Sequence, residues 1–483
     1  MPLYLVTVSG EIPLKSSRTR SMLYSKLLRN IRRSLKRKGI TVLSARILDA
    51  KILVETSSVA IHALSRVFGV HRVSEVQAIE FTSLEELAGE VSRRTLERVK
   101  GRRFAVRVKR SGVHSFTSLD VAREVGALLK PYSAGVDLEN PEVEVTLEIR
   151  GNTAYLHEND VEGPGGFPIS SSGRALVLFS GGFDSPVAAW MAAKRGLEVD
   201  FLHYVMGSSD ISRQAFIVAR KLSEEWLSSY NPKFIIVDFT PLVAWIEREV
   251  AWSYRQVVLR ALMYMVADRV AGARGYDAVV TGESLAQASS QTLANLKAIE
   301  KAASLNSMIL RPLIGLDKEE IISYSRQLGL YEYSSKVAEA CAIAPRHTAT
   351  RISVEKLKSI LERIENKLLD KAVEDMRVVD VHVSSPEEAI PEYPEEIDYI
   401  PSDSVLVDAR SIEEYKRSAL PGALHVSMVD YSKLPRDRPV VFYCDTGGIS
   451  RILAAELRSM GFKAYSLKGG LRRIRGRLAG TTT

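Results

Sequence analysis

At the start of the chain, the spacing of the hydrophobic residues changes from strand-like to helix-like and back. Strand-like segments, first LYLVTVSGEIPLKS and later VLSARILDAKILVET, flank a stretch with apolar residues at helical spacing. That stretch, RTRSMLYSKLLRNIRRSLKRKG, has an apolar stripe among basic residues, formed by Met22, Leu23, Leu27, Ile31 and Leu35. With a further helix predicted at VAIHALSRVFGV, the pattern predicts a small α+β domain over residues 1–75.

A second α+β domain is predicted over residues 76–165. Two predicted helices alternate with strands there, and in FAVRVKRSGVHSFTS the residues Phe104, Val106 and Val108 face one way. The same strand has four basic residues that are candidate contacts for a polyanion: Arg103, Arg107, Lys109 and Arg110. The first three of these face the other way. A basic strand of this kind also occurs as plain solvated surface, and that alternative stays open.

The next part of the chain changes to a regular alternation of strands and helices. It begins after VEGPGGFPISSSGRA, a Gly, Pro and Ser-rich boundary, and runs through ALVLF, PVAAWMAAKRG, EVDFLHYV, SRQAFIVARKLSEEWLSS and KFIIVDF. This alternation predicts a doubly wound parallel sheet over residues 172–375. The proline-rich, acidic stretch SSPEEAIPEYPEEIDYIPSDS predicts a linker over residues 376–400, followed by a smaller α/β domain over residues 401–483.

The basic residues are concentrated in the first part of the chain. The formal net charge is +8, but residues 1–110 contain 23 Lys and Arg against 9 Asp and Glu, or +14, which leaves −6 for the rest. This asymmetry favours a polyanion-binding half joined to a half with another task, over a merely solvated basic surface. The chain has no apolar run near the ~20 residues that span a bilayer, and its first ten residues are too short and polar for a secretory signal. We therefore expect no membrane association and a cytoplasmic location.

The segment VLFSGGFDSPVAAW connects the first strand of the large predicted sheet to its first helix. Ser180, Gly181 and Gly182 allow a sharp turn whose N–H groups approach a phosphate, while Asp184 or Ser185 is expected to cap the helix. No lysine follows the glycines, so the segment is not a GxxxxGK[ST] loop, and Mg²⁺ is the expected countercharge. An ordinary strand-to-helix turn is the alternative.

The chain has two cysteines, Cys341 and Cys444, and neither lies in a CxxC or Cys/His cluster, so we predict no metal site. In YCDTGGISR, Cys444 lies between a predicted strand and a predicted helix, where inward N–H groups favour a thiolate or persulfide anion. A buried structural cysteine is the alternative at residue 444. At residue 341, in AEACAIAPRHTATR, the alternative is a half-buried spacer.

Three segments resemble known domains. FAVRVKRSGVHSFTS, REVG and VDLENPEVEV resemble the THUMP domain, an RNA-binding module of tRNA-modifying enzymes. SGGxDS resembles the PP-loop of ATP pyrophosphatases, which implies that ATP binds there and releases pyrophosphate. VLVDAR, ALPGALHVS and YCDTGGISR resemble a rhodanese domain, although Asp445 stands where rhodaneses that use thiosulfate carry a basic residue. That difference implies a sulfur donor that is a persulfide-carrying protein, such as a cysteine desulfurase, or sulfide.

Nearly the whole chain resembles the tRNA 4-thiouridine synthetases, also called tRNA sulfurtransferases. The likeness rests on the domain order and on GLEVDFLHYV, AVVTGESLAQASSQTLANL and ILRPLIGLDKEEII. It implies a multidomain α/β and α+β fold with N-terminal ferredoxin-like and THUMP units, a PP-loop domain and a C-terminal rhodanese-like α/β domain. It also implies that the nucleotide is contacted by Leu178, Phe179, His203, Tyr204, Arg260, Gly282 and Gln291 in addition to the loop.

Three of these implied positions carry an open question. Tyr204 replaces the family's usual Phe, so the role of its hydroxyl needs an explanation. Arg255 in YRQVVLRALMY is the alternative to Arg260. Lys318 in LDKEE either neutralises charge at the reacting phosphate or pairs with glutamates of its own helix.

The resemblance also implies a reaction. The basic half docks tRNA, largely through phosphate contacts and shape, and the PP-loop domain uses Mg-ATP to adenylate O4 of a uridine at position 8. A Cys444 persulfide, or sulfide freed from it by Cys341, then displaces AMP, and the two cysteines form a disulfide as sulfur leaves. In the family the same persulfide also supplies thiamine thiazole synthesis, and a homodimer is an open alternative to a single chain. The competing interpretations are another PP-loop ligase or thiolase, and a non-catalytic RNA-binding sulfur carrier.

Overall fold

The computed structural model describes residues 1–206, 208–337, 349–445 and 447–471. By its contacts the chain divides into two compact units, Met1–Ser171 with Ser228–Tyr230, and Ser172–Leu227 with Asn231–Thr483. None of the described helices combines the length and the hydropathy that a bilayer-spanning segment needs.

The first unit is built on one eight-stranded sheet with helices packed against it. In chain order its elements are β1 (Leu3–Val8), α1 (Ser17–Arg37), β2 (Val42–Leu48), β3 (Lys51–Thr56), α2 (Ile61–Leu64), β4 (Val70–Glu80), α3 (Leu84–Val99), β5 (Arg103–Ser111), α4 (Ser118–Leu129), β6 (Gly135–Val136), β7 (Val143–Arg150) and β8 (Thr153–Glu162). The strand order is β2-β3-β1-β4-β8-β7-β5-β6. The helix predicted at VAIHALSRVFGV is shorter than expected and ends at Leu64, and Gly69, with a φ of +96°, immediately precedes β4.

Strand β4 joins the two predicted N-terminal domains. It pairs with β1 at one end, as in Tyr4↔Glu75, and with β8 as far as Glu80↔Thr153. Separate hydrophobic clusters pack the α1 side and the α3–α4 side of the sheet. The predicted boundary between residues 75 and 76 therefore lies inside a strand, although the two cores do divide near it.

The second unit begins with a six-stranded sheet. Its elements are β9 (Arg174–Leu178), α5 (Asp184–Lys194), β10 (Glu198–Val205), α6 (Ser209–Trp226), β11 (Lys233–Asp238), α7 (Thr240–Glu249), α8 (Arg255–Arg274), β12 (Ala278–Val280), α9 (Leu293–Ala303), β13 (Met308–Leu310), α10 (Lys318–Gln327), α11 (Tyr331–Ser334), α12 (Val354–Leu361), α13 (Asn366–Glu374) and β14 (Arg377–Asp380). The order is β13-β12-β9-β10-β11-β14, and every strand is parallel to its neighbours except β14. The predicted doubly wound sheet is confirmed, and the direction of winding changes between β9 and β12, where such sheets bind ligands.

Alternating residues of the central strands fill two cores, one on each face of this sheet. On one face Phe201 and Phe234 pack with Phe216 of α6, whose ring centroid lies 5.2 Å from that of Phe234. On the other face Leu202 and Val237 belong to the large cluster that includes α7 and α8. This burial on both faces explains why these strands are almost continuously apolar.

The C-terminal part of the second unit has its own five-stranded sheet. Its elements are α14 (Pro386–Ala389), β15 (Glu396–Ile397), β16 (Val405–Asp408), α15 (Ile412–Ser418), β17 (Leu424–His425), β18 (Val440–Tyr443), α16 (Gly448–Ser459) and β19 (Ala464–Leu467), and the strands are parallel in the order β15-β19-β18-β16-β17. This is the predicted small α/β domain.

The segment predicted as a linker is built into both sheets. β14 pairs antiparallel with β11, and β15 pairs with β19. Between them, Arg213 of α6 donates to the Ile390 carbonyl at 2.8 Å. The segment therefore differs from a free tether, because its backbone and side chains are bonded to the domains on either side.

Candidate functional site

The SGGxDS loop follows β9 and is closed by the hydroxyl of Ser185. This hydroxyl accepts the N–H groups of Ser180 at 3.1 Å and Gly181 at 3.2 Å. The prediction that Asp184 or Ser185 caps the helix is wrong, because α5 already begins at Asp184 and Phe183 before it supplies no side-chain cap. The N–H groups of the first turn of α5 therefore have no side-chain cap, and helix N-termini of this kind are suited to bind anions.

Two glycines allow this loop to lie close to its neighbours. Gly181 has a φ of +81°, and a Cβ there would lie 2.6 Å from the Cα of Ala215. Gly282, which follows β12, would place a Cβ 3.0 Å from the Ser185 nitrogen. The SGGxDS and TGES motifs therefore pack directly against each other at the switch point of the sheet.

Asp184 and Lys318 form an ion pair at this loop. The Lys318 Nζ lies 2.7 Å from Asp184 Oδ1, and Gln287 Nε2 donates to the other carboxylate oxygen at 3.0 Å. Lys318 is the first residue of α10, whose capping box is made by Asp317 and Glu320. The described contacts thus pair Lys318 with the PP-loop rather than with the glutamates of its own helix.

A buried charged cluster lies beside the loop and is centred on Glu283, whose side chain is 4% exposed. Its carboxylate accepts from Arg260 at 3.0 Å, from Arg311 at 2.8 Å, and from the hydroxyls of Tyr264 and Thr281. Burial works to raise the pKa of Glu283, but the Arg260 charge, the Tyr264 hydrogen bond and Arg311 hold that pKa below its usual value. The carboxylate is therefore ionised and fixes both arginines.

Arg260 and Gln291 meet at the edge of this cluster. Arg260 donates to Ser290 Oγ at 3.0 Å, and the Gln291 amide, oriented to satisfy both its groups, accepts from Arg260 at 2.9 Å. Arg255 instead donates to the backbone carbonyls of Val250 and Glu247. The geometry therefore brings Arg260, and not Arg255, to the predicted site.

The side chains of Leu178, Phe179, His203 and Tyr204 are buried under the loop. His203 bonds the Phe179 carbonyl at 2.9 Å and Ser212 Oγ at 3.0 Å, and burial lowers its pKa to about 4, so it is neutral. The Tyr204 hydroxyl donates to the Met263 carbonyl at 2.5 Å. This contact explains why a Tyr can stand where the family usually has a Phe: the added hydroxyl links β10 to α8.

Cys444 lies in the loop between β18 and α16 and is 3% exposed. Its Sγ accepts the Gly447 N–H at 3.1 Å and lies 3.4 Å from Ser450 Oγ. One backbone N–H group of the loop therefore points at the sulfur. Asp445 lies 3.8 Å from Arg410, so its charge is partly balanced. Cys341 lies outside the described residues.

The Cys444 loop lies at the same edge of the large sheet as the PP-loop. Arg451, in the first turn of α16, bonds Asp238 at 3.0 Å and Thr240 Oγ1 at 2.6 Å, and Ile449 packs against the core of the nucleotide-binding part. Asp238 ends β11, and β9, β10 and β11 are adjacent and parallel. Leu178 and Ile235 both pair with Leu202, so Asp238 lies three residues farther along; at ~4.8 Å between strands and ~3.3 Å per residue, the ends of β9 and β11 are roughly 14 Å apart.

The predicted RNA contacts on β5 are partly neutralised. Arg103 lies 3.0 Å from Asp137, Arg107 lies 3.2 Å from Glu144, and Arg110 bonds His114. Lys109 is exposed.

The stronger basic surface of the first unit lies on α1. Six exposed residues of this helix make no ion pair with any acidic residue in the described part of the chain: Arg18, Arg20, Arg29, Arg32, Arg33 and Lys36. The basic periodicity of the helix was visible in the sequence, but the pairing of the β5 arginines was not.

Fold and site together define a class of protein: a PP-loop nucleotide-binding domain with a cysteine-bearing rhodanese-like domain at its active edge and a basic THUMP-containing unit before it. Family models agree along the chain. A ThiI ferredoxin-like domain matches residues 4–74, a THUMP domain 78–157, a "Thiamine biosynthesis protein (ThiI)" model 170–366 and a rhodanese-like domain 394–476.

Relatives with names identify the family. The tRNA sulfurtransferase of Desulfurococcus amylolyticus is 70% identical over 481 residues and covers 100% of both chains. That of Pyrobaculum aerophilum is 41% identical and covers 84% of each. The crystal structure of a 4-thiouridine synthetase in complex with RNA and bound ATP is 27% identical, with a TM-score of 0.67 over 79% of this chain and 99% of that one. The chain belongs to the tRNA sulfurtransferase family of enzymes, which confirms the resemblance and the predicted fold class.

Proposed function

We propose that this protein uses ATP to convert a uridine of tRNA, at position 8, into 4-thiouridine. The proposal rests on one observation: the phosphate-binding loop and the loop of Cys444 lie at the same edge of the large sheet. The phosphate-binding loop follows β9, while the loop of Cys444 is bonded to the end of β11 through Arg451 and Asp238. The sequence relatives named as tRNA sulfurtransferases, and the solved neighbour with bound RNA and ATP, support the same reaction.

ATP is the substrate of the first half-reaction. The N–H groups of Ser180 to Gly182 and the first turn of α5 are suited to bind its phosphates, and Arg260 lies beside them as a further cation. The described residues contain no group of three or more His, Cys, Asp or Glu that could hold a metal ion, but Asp184 is one carboxylate at the loop. Mg²⁺ commonly binds one or two carboxylates together with substrate phosphates, so Asp184 fits that role. When bound, Mg²⁺ supplies countercharge to the phosphates.

Adenylation then joins uridine O4 to the α-phosphorus of ATP. The O–P bond forms as the bond to the departing pyrophosphate breaks, and the uridine loses its N3 proton. Lys318, 2.7 Å from Asp184, is positioned to stabilise negative charge at the reacting phosphate. The step turns a poor leaving group on C4 into AMP.

Sulfur transfer is the second half-reaction. The terminal sulfur of a Cys444 persulfide attacks C4 and expels AMP, which leaves the base joined to Cys444 through a disulfide. The Cys341 thiolate then attacks the Cys444 Sγ, releases 4-thiouridine and forms a Cys341–Cys444 disulfide. Two electrons pass from the cysteines to the transferred sulfur, and an external dithiol restores both thiols. We propose a persulfide-carrying protein as the donor that loads Cys444, or sulfide that attacks C4 of the adenylated uridine directly and expels AMP. We also propose a cytoplasmic setting, and thiazole synthesis as a second use of the persulfide sulfur.

Pyrophosphate release separates this proposal from its competitors. Full-length protein, ATP and tRNA lacking the modification are expected to yield pyrophosphate only when all three are present, before any sulfur donor is added. Asp184→Asn is expected to abolish the release. A non-catalytic RNA-binding sulfur carrier would release none, and a ligase acting on a small-molecule substrate would not depend on tRNA. Another RNA-modifying PP-loop enzyme would release pyrophosphate but form no 4-thiouridine when a sulfur donor is added.

A further inference from the structure

Arg451, in the first turn of α16, makes its polar contacts outside its own domain. The Arg451 guanidinium bonds both carboxylate oxygens of Asp238, at 3.0 and 3.1 Å, and Thr240 Oγ1 at 2.6 Å. It also lies 3.8 Å above the ring of Tyr393, in the segment that connects the two sheets. Its side chain is 5% exposed. These contacts all reach residues outside the sheet that carries Cys444.

This buried arginine is poorly explained by stability alone. Removing a guanidinium from water is costly, and its partner Asp238 has a side chain that is 49% exposed, so the ion pair offsets little of that cost. Its Nε, moreover, is buried without a hydrogen-bond partner among the described residues. What these contacts do supply is a fixed orientation, because Nη2 donates to both Asp238 oxygens and to Thr240 Oγ1 while the guanidinium lies over the Tyr393 ring.

The orientation is transmitted to Cys444 by a short path. Ser450, the residue next to Arg451, lies 3.4 Å from Cys444 Sγ through its hydroxyl. Both residues belong to the first turn of α16, so a displacement of Arg451 moves the turn that surrounds the sulfur.

A second set of polar contacts lies beside the Cys444 loop, where the chain leaves β19 at the same edge of the small sheet. Lys468 Nζ lies 3.1 Å from Asp210 of α6 and 3.1 Å from Glu392. On strand β15, Glu396 accepts the Ser209 hydroxyl at 2.8 Å. Polar contacts of this kind are typical of domain interfaces that form and separate, rather than of continuous cores.

We propose that Arg451 is a positioning residue for sulfur transfer: by binding Asp238 and Thr240 it holds the Cys444 loop at the nucleotide-bearing edge of the large sheet. The inference rests on the proposed function. It assigns Arg451 no contact with ATP, tRNA or sulfur. Loading of Cys444 and adenylation of tRNA do not need this contact, whereas transfer of sulfur to the adenylated base does.

The test measures three rates separately on full-length protein. They are tRNA-dependent pyrophosphate release, loading of Cys444 by a small-molecule persulfide followed by mass spectrometry, and single-turnover formation of 4-thiouridine from preloaded enzyme. Arg451→Ala is expected to slow only the third, by tenfold or more and on the order of a hundredfold, the loss typical of a misplacement of ~1 Å. Arg458→Ala is the matched control, since Arg458 lies on the same helix and donates to Ala464 within its own domain.

Arg451→Lys keeps the charge but loses the planar guanidinium that lies over Tyr393 while its Nη2 reaches Asp238 and Thr240, and we expect it to show a smaller, equally selective loss even where the alanine variant is unstable. Transfer at the wild-type rate in Arg451→Ala would overturn the inference, and so would an equal loss in all three rates, which is the sign of a merely structural residue. If wild-type protein itself releases no pyrophosphate or makes no 4-thiouridine, the proposed function fails instead.

Discussion

Glu247 of α7 is a carboxyl group whose titration is expected to change the stability of the second unit. Burial raises the pKa of Glu247 to about 7, Arg255 opposes this rise, and the negative charges of Glu414 and Asp445 on the rhodanese-like domain add to it. The group is therefore protonated in mildly acidic solution and ionised above neutrality. Glu247→Gln replaces it by an amide of the same shape that never ionises.

The size of the effect follows from the displacement of the pKa. A value near 7 in place of 4.5 corresponds to ~3 kcal/mol at 1.36 kcal/mol for each pKa unit. Because the folded-state pKa is raised, this stability is fully present below about pH 4.5 and is lost as the pH rises through 7. The glutamine variant does not lose it. At pH 8 the variant is expected to unfold several degrees above wild type, on the order of 5 °C, while at pH 4.5 the two should nearly coincide.

Thermal unfolding of the full-length protein between pH 4.5 and 8.5 measures this difference. The contributions of other titrating groups to the unfolding temperature cancel, since only the difference in unfolding temperature between wild type and variant is compared. Glu249→Gln is the matched control, since Glu249 lies on the same helix. Hydrogen bonds from Arg248 and from Arg363, the latter at 2.6 Å, hold the pKa of Glu249 below its usual value, so its removal should not stabilise the protein above pH 7. A gap between wild type and Glu247→Gln that stays constant across the pH range would refute the reasoning.

Three further predictions concern the two half-reactions and RNA binding. Asp184→Asn should lose pyrophosphate release by at least a hundredfold, about the size of losing a key charge-stabilising group, yet bind tRNA as wild type does in a gel-shift assay. Cys444→Ser should release pyrophosphate normally and form no 4-thiouridine with a persulfide donor; full activity would mean that sulfur takes another route. If six or more phosphates are contacted, binding of tRNA to the full chain should weaken by roughly a thousandfold or more between 50 and 200 mM salt. Fluorescence anisotropy measures this affinity, and a flat salt dependence would contradict a phosphate-docking surface on α1.

Much of the fold was predictable because local periodicity determines it. The strand-helix alternation from residue 172, the loop after β9 and the strand-loop-helix around Cys444 are each encoded in a few consecutive residues. The merging of the two N-terminal domains through β4 was not predictable, because pairing partners of a strand lie far apart in sequence. For the same reason β14 was not predicted within the expected linker, because its pairing partner, β11, lies far away in sequence.

The site was predictable where a motif carries it, and not where tertiary contacts do. The glycines and Asp184 follow from the loop sequence. The partners of Glu283 come from α8 and from the segment after β13, so only the fold brings Arg311 and Tyr264 to that carboxylate. One signal was present: Glu283 is a charged residue three positions after the end of the buried strand β12, at the edge where parallel sheets bind ligands. The Tyr204 hydroxyl was unexplained for a similar reason, since its acceptor lies on α8.

The central claim is that one chain activates tRNA with ATP and then delivers sulfur from Cys444. It is tested most directly by incubating full-length protein with unmodified tRNA, ATP and a persulfide donor, and by measuring AMP and 4-thiouridine nucleosides by mass spectrometry. The account predicts that AMP and 4-thiouridine appear together in equal amounts and that neither appears without ATP. Sulfur incorporation that proceeds without ATP, or AMP release from tRNA with no 4-thiouridine although Cys444 is loaded, would contradict it.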